Sequence, residues 1–318
     1  MGCLKALLCD GGQIRLADVA TPVPSPGDVL IRVTMAGICN TDLEVTAGYR
    51  PFTGILGHEF VGMVESDPLG ELTGKRVVGS INVYCGECPY CRRGETSHCL
   101  ERTAIGINGR DGAFAEFLAL PRPNVHVVPA GLGDIEAVLV EPLAAGMRVV
   151  EQVHIQPGHS VAVLGDGKLG LLSARVLSAT GSNVVVVGKH GHKLSLARSM
   201  GLRTAAVDDF TGPADVVLDC TGSVSGLETA VRLVRSGGTI VLKTTVAGKY
   251  KIDLSPIVVR EIRIVGSRCG PFAPTLALLE RHNLDLAGVV EAVYPLDRGV
   301  EAFEHARRKG ALKILLSI

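Results

Sequence analysis

Ser160-Val161-Ala162-Val163-Leu164-Gly165-Asp166-Gly167-Lys168-Leu169-Gly170 is the stretch on which the fold turns. An unbroken apolar run of strand length meets a G-x-G-x-x-G, and apolar residues at helical spacing follow over 169–179. In a strand–turn–helix of this kind the first glycine permits the tight turn, the second lets backbone approach a pyrophosphate, and the third lets helix and strand pack closely. The helix N-terminus then offers N–H donors to the phosphates. Gly165, Asp166, Gly167, Lys168, Leu169 and Gly170 are therefore the expected dinucleotide contacts. The same glycines also occur as a plain turn in other α/β proteins, and it is the flanking strand and helix that favour a nucleotide site.

Downstream, further apolar runs at 184–187, 216–218, 239–242 and 262–265 alternate with amphipathic stretches at 193–200 and 227–234. Continuous apolar strands separated by helices predict a parallel sheet covered on both faces, a doubly wound α/β fold. After Gly270-Pro271 the pattern predicts a helix at 273–282, a strand near 289–293, a helix at 299–309 and a last strand at 311–316. Upstream, short β-branched runs such as Val29-Leu30-Ile31-Arg32-Val33 are broken by Pro and Gly in Thr21-Pro22-Val23-Pro24-Ser25-Pro26-Gly27-Asp28, which predicts a mostly β domain. Helical spacing begins after Pro142. The expected organisation is a mostly β domain of residues 1–142, rejoined by 272–318, with the doubly wound domain at 143–271.

About twenty residues beyond the glycine motif, an NAD-binding fold carries an acid for the ribose 2′-hydroxyl. Here Gly188 follows Val187, and Lys189, His190, His192 and Lys193 come next. A missing acid beside added cations suits a 2′-phosphate, so NADP(H) is expected in preference to NAD(H), with Gly188, Lys189, His190 and Lys193 at the ribose. A solvated basic loop is the plainer reading of the same residues.

Four of the nine cysteines, Cys85, Cys88, Cys91 and Cys99, stand at metal-ligand spacing. Four thiolates with no open position suit a tetrahedral structural Zn²⁺, and thiol spacing equally admits a [4Fe–4S] cluster. A second set is dispersed: Cys39 in Gly37-Ile38-Cys39-Asn40-Thr41-Asp42, His58 and Glu59 after Gly57, and Glu141 before Pro142. A catalytic zinc needs about three protein ligands and one free position, which Cys39, His58 and one of Glu59 and Glu141 would supply. Taken singly, a cysteine or histidine is more often a packing or hydrogen-bonded residue of the core.

Bulk properties agree. The 318 residues are 47% hydrophobic and 20% charged, the balance of a folded globular chain. Lys+Arg and Asp+Glu both number 32, so no excess charge draws a polyanion, and no nucleic acid partner is expected. No apolar run reaches the roughly 18 to 20 residues of a membrane helix, and the first residues lack an export pattern. A cytoplasmic protein with reduced thiols is expected.

The chain resembles, over nearly its whole length, the zinc-containing medium-chain dehydrogenases of the alcohol dehydrogenase superfamily, in particular the polyol, threonine and glucose dehydrogenase branch. The resemblance is carried by Gly-Ile-Cys-x-Thr-Asp, Gly-His-Glu-Phe-x-Gly, Cys-x₂-Cys-x₂-Cys-x₇-Cys, Asp111-Gly112-Ala113-Phe114-Ala115-Glu116-Phe117, Glu-Pro-Leu, the glycine motif and Asp219-Cys220-Thr221-Gly222, in the family's order. It implies a GroES-like catalytic domain interrupted by a Rossmann domain, one catalytic and one structural zinc, and a homodimer or homotetramer. It implies an alcohol, polyol or sugar substrate from which hydride passes to NAD(P). Cys39 and His58 would be zinc ligands, Glu59 an exchangeable one, and Glu141 would stand where other members carry a cysteine. Asp42 would orient His58, Thr41 would pass on the substrate proton, and Thr221 would contact the coenzyme. Many members place a relay histidine five residues after the first zinc cysteine, whereas this chain has Glu44. Cys3, Cys9, Cys220 and Cys269 match no zinc position and are expected as buried thiols. Two other readings are a zinc-free quinone or enone reductase of the same superfamily and a noncatalytic zinc-stabilised binding protein; metal content of two, none or one per chain separates the three.

Overall fold

Alternation of small β-branched and polar residues makes Asp28–Ile38 the central strand of the first unit, with Val29, Ile31, Val33, Ala36 and Ile38 buried. The computed structural model describes residues 2–48, 51–245, 252–282 and 284–318. A seven-stranded sheet runs Val125–Val127, Arg76–Gly79, Glu59–Ser66, Asp28–Ile38, Lys313–Ser317 and Val290–Pro295, and Phe117–Pro121 also pairs with Asp28–Ile38. Glu59–Ser66 and Lys313–Ser317 flank Asp28–Ile38 on opposite edges and both run antiparallel to it. Their first residues therefore meet its last ones: Glu59 stands opposite Gly37, and Ile314 opposite Ile38. One end of the sheet thus collects residues 37–39, 59 and 313.

Two glycines of the first unit exist for close approach. Gly57 has φ of 97°, and a Cβ there would lie 2.5 Å from the Phe114 ring. A Cβ on Gly112 would lie 2.3 Å from the Gly57 carbonyl oxygen. The 111–117 motif is thus packed on the turn that delivers His58.

In the second unit six parallel strands lie in the order Arg203–Ala206, Asn183–Gly188, Ser160–Leu164, Ala214–Asp219, Val234–Leu242 and Arg263–Gly266, the doubly wound order expected. Leu164, Val187, Val217 and Ile240 fill its core with Leu227, Ala230 and Val231 of the helix Ser225–Leu233. The edge strand Arg203–Ala206 has no apolar run to announce it; it is short, polar and half-buried. The chain divides by contacts into Met1–Glu141 with Val290–Ile318, and Pro142–Val289. The second boundary thus falls after the helix Phe272–Arg281, where the sequence pattern had put it at 271–272. That helix buries Phe272, Leu276 and Leu279, and Gly288 still lies against Leu196, so the tail belongs to the second unit until Val289. No helix among the described residues is long and apolar enough to cross a membrane.

Candidate active site and metal centres

Cys39 follows the last residue of the central strand and is the N-cap of the short helix Asn40–Thr46. The turn before Glu59–Ser66 brings His58 to it, and ligand atoms of Cys39, His58 and Glu59 all lie within 4.8 Å of one another. His58 and Glu59 are 2% and 1% exposed. Gly37 makes the space, since a Cβ on it would lie 2.5 Å from Glu59 Oε2. Buried His58 Nδ1 stands 3.3 Å from Asp42 Oδ1 but is not aligned with it as a hydrogen bond. Burial alone would lower the His58 pKa; the Asp42 carboxylate and Cys39 outweigh that and hold it well above the usual histidine value. A thiol, an imidazole and a carboxylate converging on one point, with the imidazole and carboxylate buried and Asp42 behind the ring, form a donor set that fits zinc.

Asp42 is fully buried, and its oxygens accept the backbone N–H groups of Cys39 at 2.8 Å and Gly57 at 3.3 Å, so it ties the two ligand-bearing turns together. Thr41 Oγ1 lies 3.7 Å from Cys39 Sγ. Glu44 is exposed on the same helix, one turn beyond Thr41. Glu141 is buried but is not part of the 4.8 Å group. Lys313, 1% exposed, donates from Nζ to both Glu59 oxygens at 2.8 and 2.5 Å and reaches the Ile38 carbonyl at 3.4 Å. Burial would lower its pKa, but Glu59, Cys39 and Glu141 raise it more, and the amine stays a cation.

The four-thiol lobe is local. Cys88 precedes the helical turn Pro89–Arg92, and Sγ–Sγ distances are 4.0 Å for Cys85 and Cys91, 3.5 Å for Cys88 and Cys91, and 3.6 Å for Cys99 and Cys85. Backbone N–H groups of Glu87 and Cys88 donate to Cys85 Sγ, and that of Cys85 to Cys99 Sγ. Donors of this kind, first among them the Cys91 N–H, draw the Cys88 thiol down to about 6, while burial and the neighbouring thiols push Cys91 up to about 12. Four thiols this close cannot all ionise without a cation among them, which fits a metal ion.

At the glycine motif, Gly165 has φ of 118°, and a Cβ there would lie 2.8 Å from the Cys220 carbonyl. A Cβ on Gly170 would lie 2.0 Å from Gly165 O, whereas one on Gly167 would meet nothing within 4 Å, leaving that backbone open to a phosphate. The helix Lys168–Ala179 starts there, with Lys168 and Leu169 half-buried in its first turn. Thr221 donates from both its N–H and its hydroxyl to Asp219 Oδ1 at 2.9 and 2.8 Å. A carboxylate does stand at the end of Asn183–Gly188, contrary to the sequence reading: Asp166 Oδ2 accepts the N–H groups of Lys189 at 2.9 Å and His190 at 2.7 Å, and Oδ1 lies 2.9 Å from His190 Nδ1. It comes from inside the glycine turn, where a search twenty residues downstream does not look. Gly188 is glycine because a Cβ would lie 2.5 Å from Asp166 Oδ2. Burial raises the Asp166 pKa, yet the bonds from His190 and Lys189 more than reverse this. Lys189 and His192 are exposed, His190 half-buried, and Lys193 buried.

Lys313 was missed altogether, though a lone lysine heading the apolar run 314–316 was a visible signal. Of the thiols expected in the core, Cys9 and Cys220 are buried and Cys269 is intermediate, but Cys3 is exposed; it opens the strand Cys3–Asp10 on the face opposite Leu4.

Residues 25–130 match the alcohol dehydrogenase GroES-like domain and residues 169–281 the zinc-binding dehydrogenase domain. The chain is 30% identical to a sorbitol dehydrogenase of Halalkalibacterium halodurans, with 96% of each chain covered. It is 31% identical to an L-galactonate-5-dehydrogenase of Escherichia coli, with 96% of this chain and 95% of that one covered. A Sinorhizobium meliloti protein described as a zinc-binding dehydrogenase, solved with NADP bound, superposes with a TM-score of 0.93 at 29% identity over the full length of both chains.

Proposed function

The chain belongs to the zinc-dependent medium-chain dehydrogenases of the alcohol dehydrogenase superfamily, and from that premise we propose what its site residues do. It is an NAD(P)-dependent alcohol or polyol dehydrogenase. The substrate is a secondary alcohol, polyol or sugar. Cys39 and His58, with one of Glu59 and Glu141, hold the catalytic zinc; the observation that carries this is the 4.8 Å grouping of Cys39, His58 and Glu59. Zinc in that position supplies a Lewis acid for the substrate oxygen, and the coenzyme supplies the hydride acceptor. Asp42 holds the Cys39 and Gly57 turns and faces the His58 ring, fixing the imidazole. The Thr41 hydroxyl takes the substrate proton, and Glu44, three residues on along one helix face, passes it to solvent. Cys85, Cys88, Cys91 and Cys99 hold a second, structural zinc, giving two ions per chain.

The pyrophosphate is held by the 165–170 turn, with Thr221 beside it. NADP(H) is preferred to NAD(H). Lys189, His190 and Lys193 support this, and so does the state of Asp166, whose oxygens are already taken up by three donors and are poorly placed to accept a ribose hydroxyl. Two further readings follow from composition and exposure. Thiols at ligand spacing point to the reducing cytoplasm. Exposed Leu254, Val258, Val259 and Ile264, on and just before the edge strand Arg263–Gly266, favour a homodimer or homotetramer over a monomer.

Metal analysis of the purified enzyme, joined to a coenzyme-coupled assay over alcohols, polyols, sugars and amino alcohols, tests the assignment. Two zinc ions per chain and turnover with a higher kcat/KM for NADP(H) are expected. One zinc and no turnover would leave a noncatalytic binding protein, and a clear preference for NAD(H) would remove the 2′-phosphate reading.

A further inference from the structure

Glu59 offers its carboxylate to the Cys39–His58 pair, yet both of its oxygens are already engaged by Lys313, which arrives from the other neighbour of the central strand. Both side chains are 1% exposed, so water does not substitute for either partner. Cys39 and Glu141 act on Lys313 beside Glu59, and Lys313 is the cation bonded to that carboxylate. Gly37 leaves open the space against the Glu59 carboxylate that any other residue would fill. Charges removed from water demand a partner at all times, because an unpaired one is costly. Two partners therefore contend for one carboxylate.

We propose that Lys313 is a positioning residue that competes with the catalytic zinc for Glu59, so that Glu59 joins the ion only by giving up the ammonium. The inference rests on the reading of Cys39 and His58 as zinc ligands. Lys313 then sets how tightly zinc is held and how readily a coordination position opens. A purely structural lysine would weaken the site when removed. A competitor has the opposite sign: its removal frees Glu59 for the metal.

The test measures zinc release from the full-length enzyme to a chromophoric chelator, with the release step of this site identified by its loss in Cys39→Ala. Lys313→Met is expected to retain zinc at least about tenfold more tightly, Glu59→Gln to lose it at least about tenfold more readily, and Lys313→Arg to return close to wild type, on the scale of outer partners of metal ligands. With cobalt(II) in place of zinc, the visible spectrum should change in Lys313→Met and in Glu59→Gln and be near wild type in Lys313→Arg. Unchanged or weaker zinc retention in Lys313→Met overturns the proposal. Should that variant not fold, the isosteric Glu59→Gln decides: unaltered zinc release and an unaltered cobalt spectrum would show that Glu59 never reaches the metal. If wild type holds no metal that depends on Cys39, the active-site reading itself fails; if it holds one indifferent to Lys313 and Glu59, only the competition is lost.

Discussion

Cys85, Cys88, Cys91 and Cys99 come from one short loop and a single helical turn, whereas Cys39, His58 and Glu59 come from the ends of two paired strands, with Lys313 added 254 residues further along the chain. The donors of the first group are identical and run from surface to interior, with Cys85 exposed, Cys88 and Cys91 half-buried and Cys99 buried. Those of the second are chemically mixed, two of the three are buried, and a further layer of charged groups, Asp42, Glu141 and Lys313, stands behind them. A local, uniform cluster closes on its ion and stiffens a loop. A cluster drawn from distant strands depends on the whole sheet for its geometry, and its outer layer can set ligand exchange.

The sharpest way to break this contrast is to remove one thiol from each group. Cys39→Ala should lower kcat/KM by about a thousandfold or more, since it strips the Lewis acid from the reacting oxygen, while far-ultraviolet circular dichroism stays as in wild type. A variant that kept a tenth of the activity would mean that the metal is not where the chemistry happens. Asp42→Asn comes next. It keeps the shape but takes away the buried charge facing His58, and zinc at the Cys39 site should be held about 10- to 100-fold less tightly in chelator competition, with the four-thiol ion unaffected. Equal loss from both clusters would abolish the distinction between them. Cys88→Ala should do the reverse of Cys39→Ala: roughly a 5–10 °C fall in Tm by calorimetry, with kcat per folded molecule near wild type.

The same difference governs what could be read from sequence. The four-thiol lobe is contiguous, so its spacing announces both ligands and chemistry. So is the glycine turn, whose strand, helix and doubly wound fold class followed from the periodicity around Gly165. Cys39, His58 and Glu59 could be named as candidates, but their convergence depends on strand pairing: Glu59 opposite Gly37 is a register, and register is not written in any one segment. The Lys313–Glu59 pair and the contacts of Asp166 with residues 189 and 190 were lost for this reason. Lys313 lies inside the strand expected at 311–316, but nothing in that segment says that the strand pairs with Asp28–Ile38. Asp166 sat in plain view inside the motif, but its contact with residues 189 and 190 joins the ends of two parallel strands separated in sequence by the helix Lys168–Ala179. The tail boundary was missed because the helix Phe272–Arg281 has the same apolar spacing whichever unit it covers.

The smallest expected effect is also the most direct check that burial, more than charge itself, separates the two clusters. Glu95 stands beside the four-thiol loop as Asp42 stands beside the other site, and the Arg93 guanidinium holds it by hydrogen bonds of 3.3 and 3.2 Å. Those bonds draw its pKa below the usual carboxylate value, against the opposing effect of desolvation. A depressed folded pKa stabilises the protein above the unfolded value, and the contribution disappears as pH falls through the folded one. Both side chains are about half exposed, so water and salt screen the pair. Glu95→Gln should therefore move Tm by about 1 °C or less at neutral pH. The difference should shrink in high salt and vanish as the pH is lowered past the range in which Glu95 titrates, with zinc retention unchanged throughout. If this exposed carboxylate proved as important to its cluster as Asp42 is to the other, the outer charges would matter regardless of burial, and the two clusters would be alike in kind.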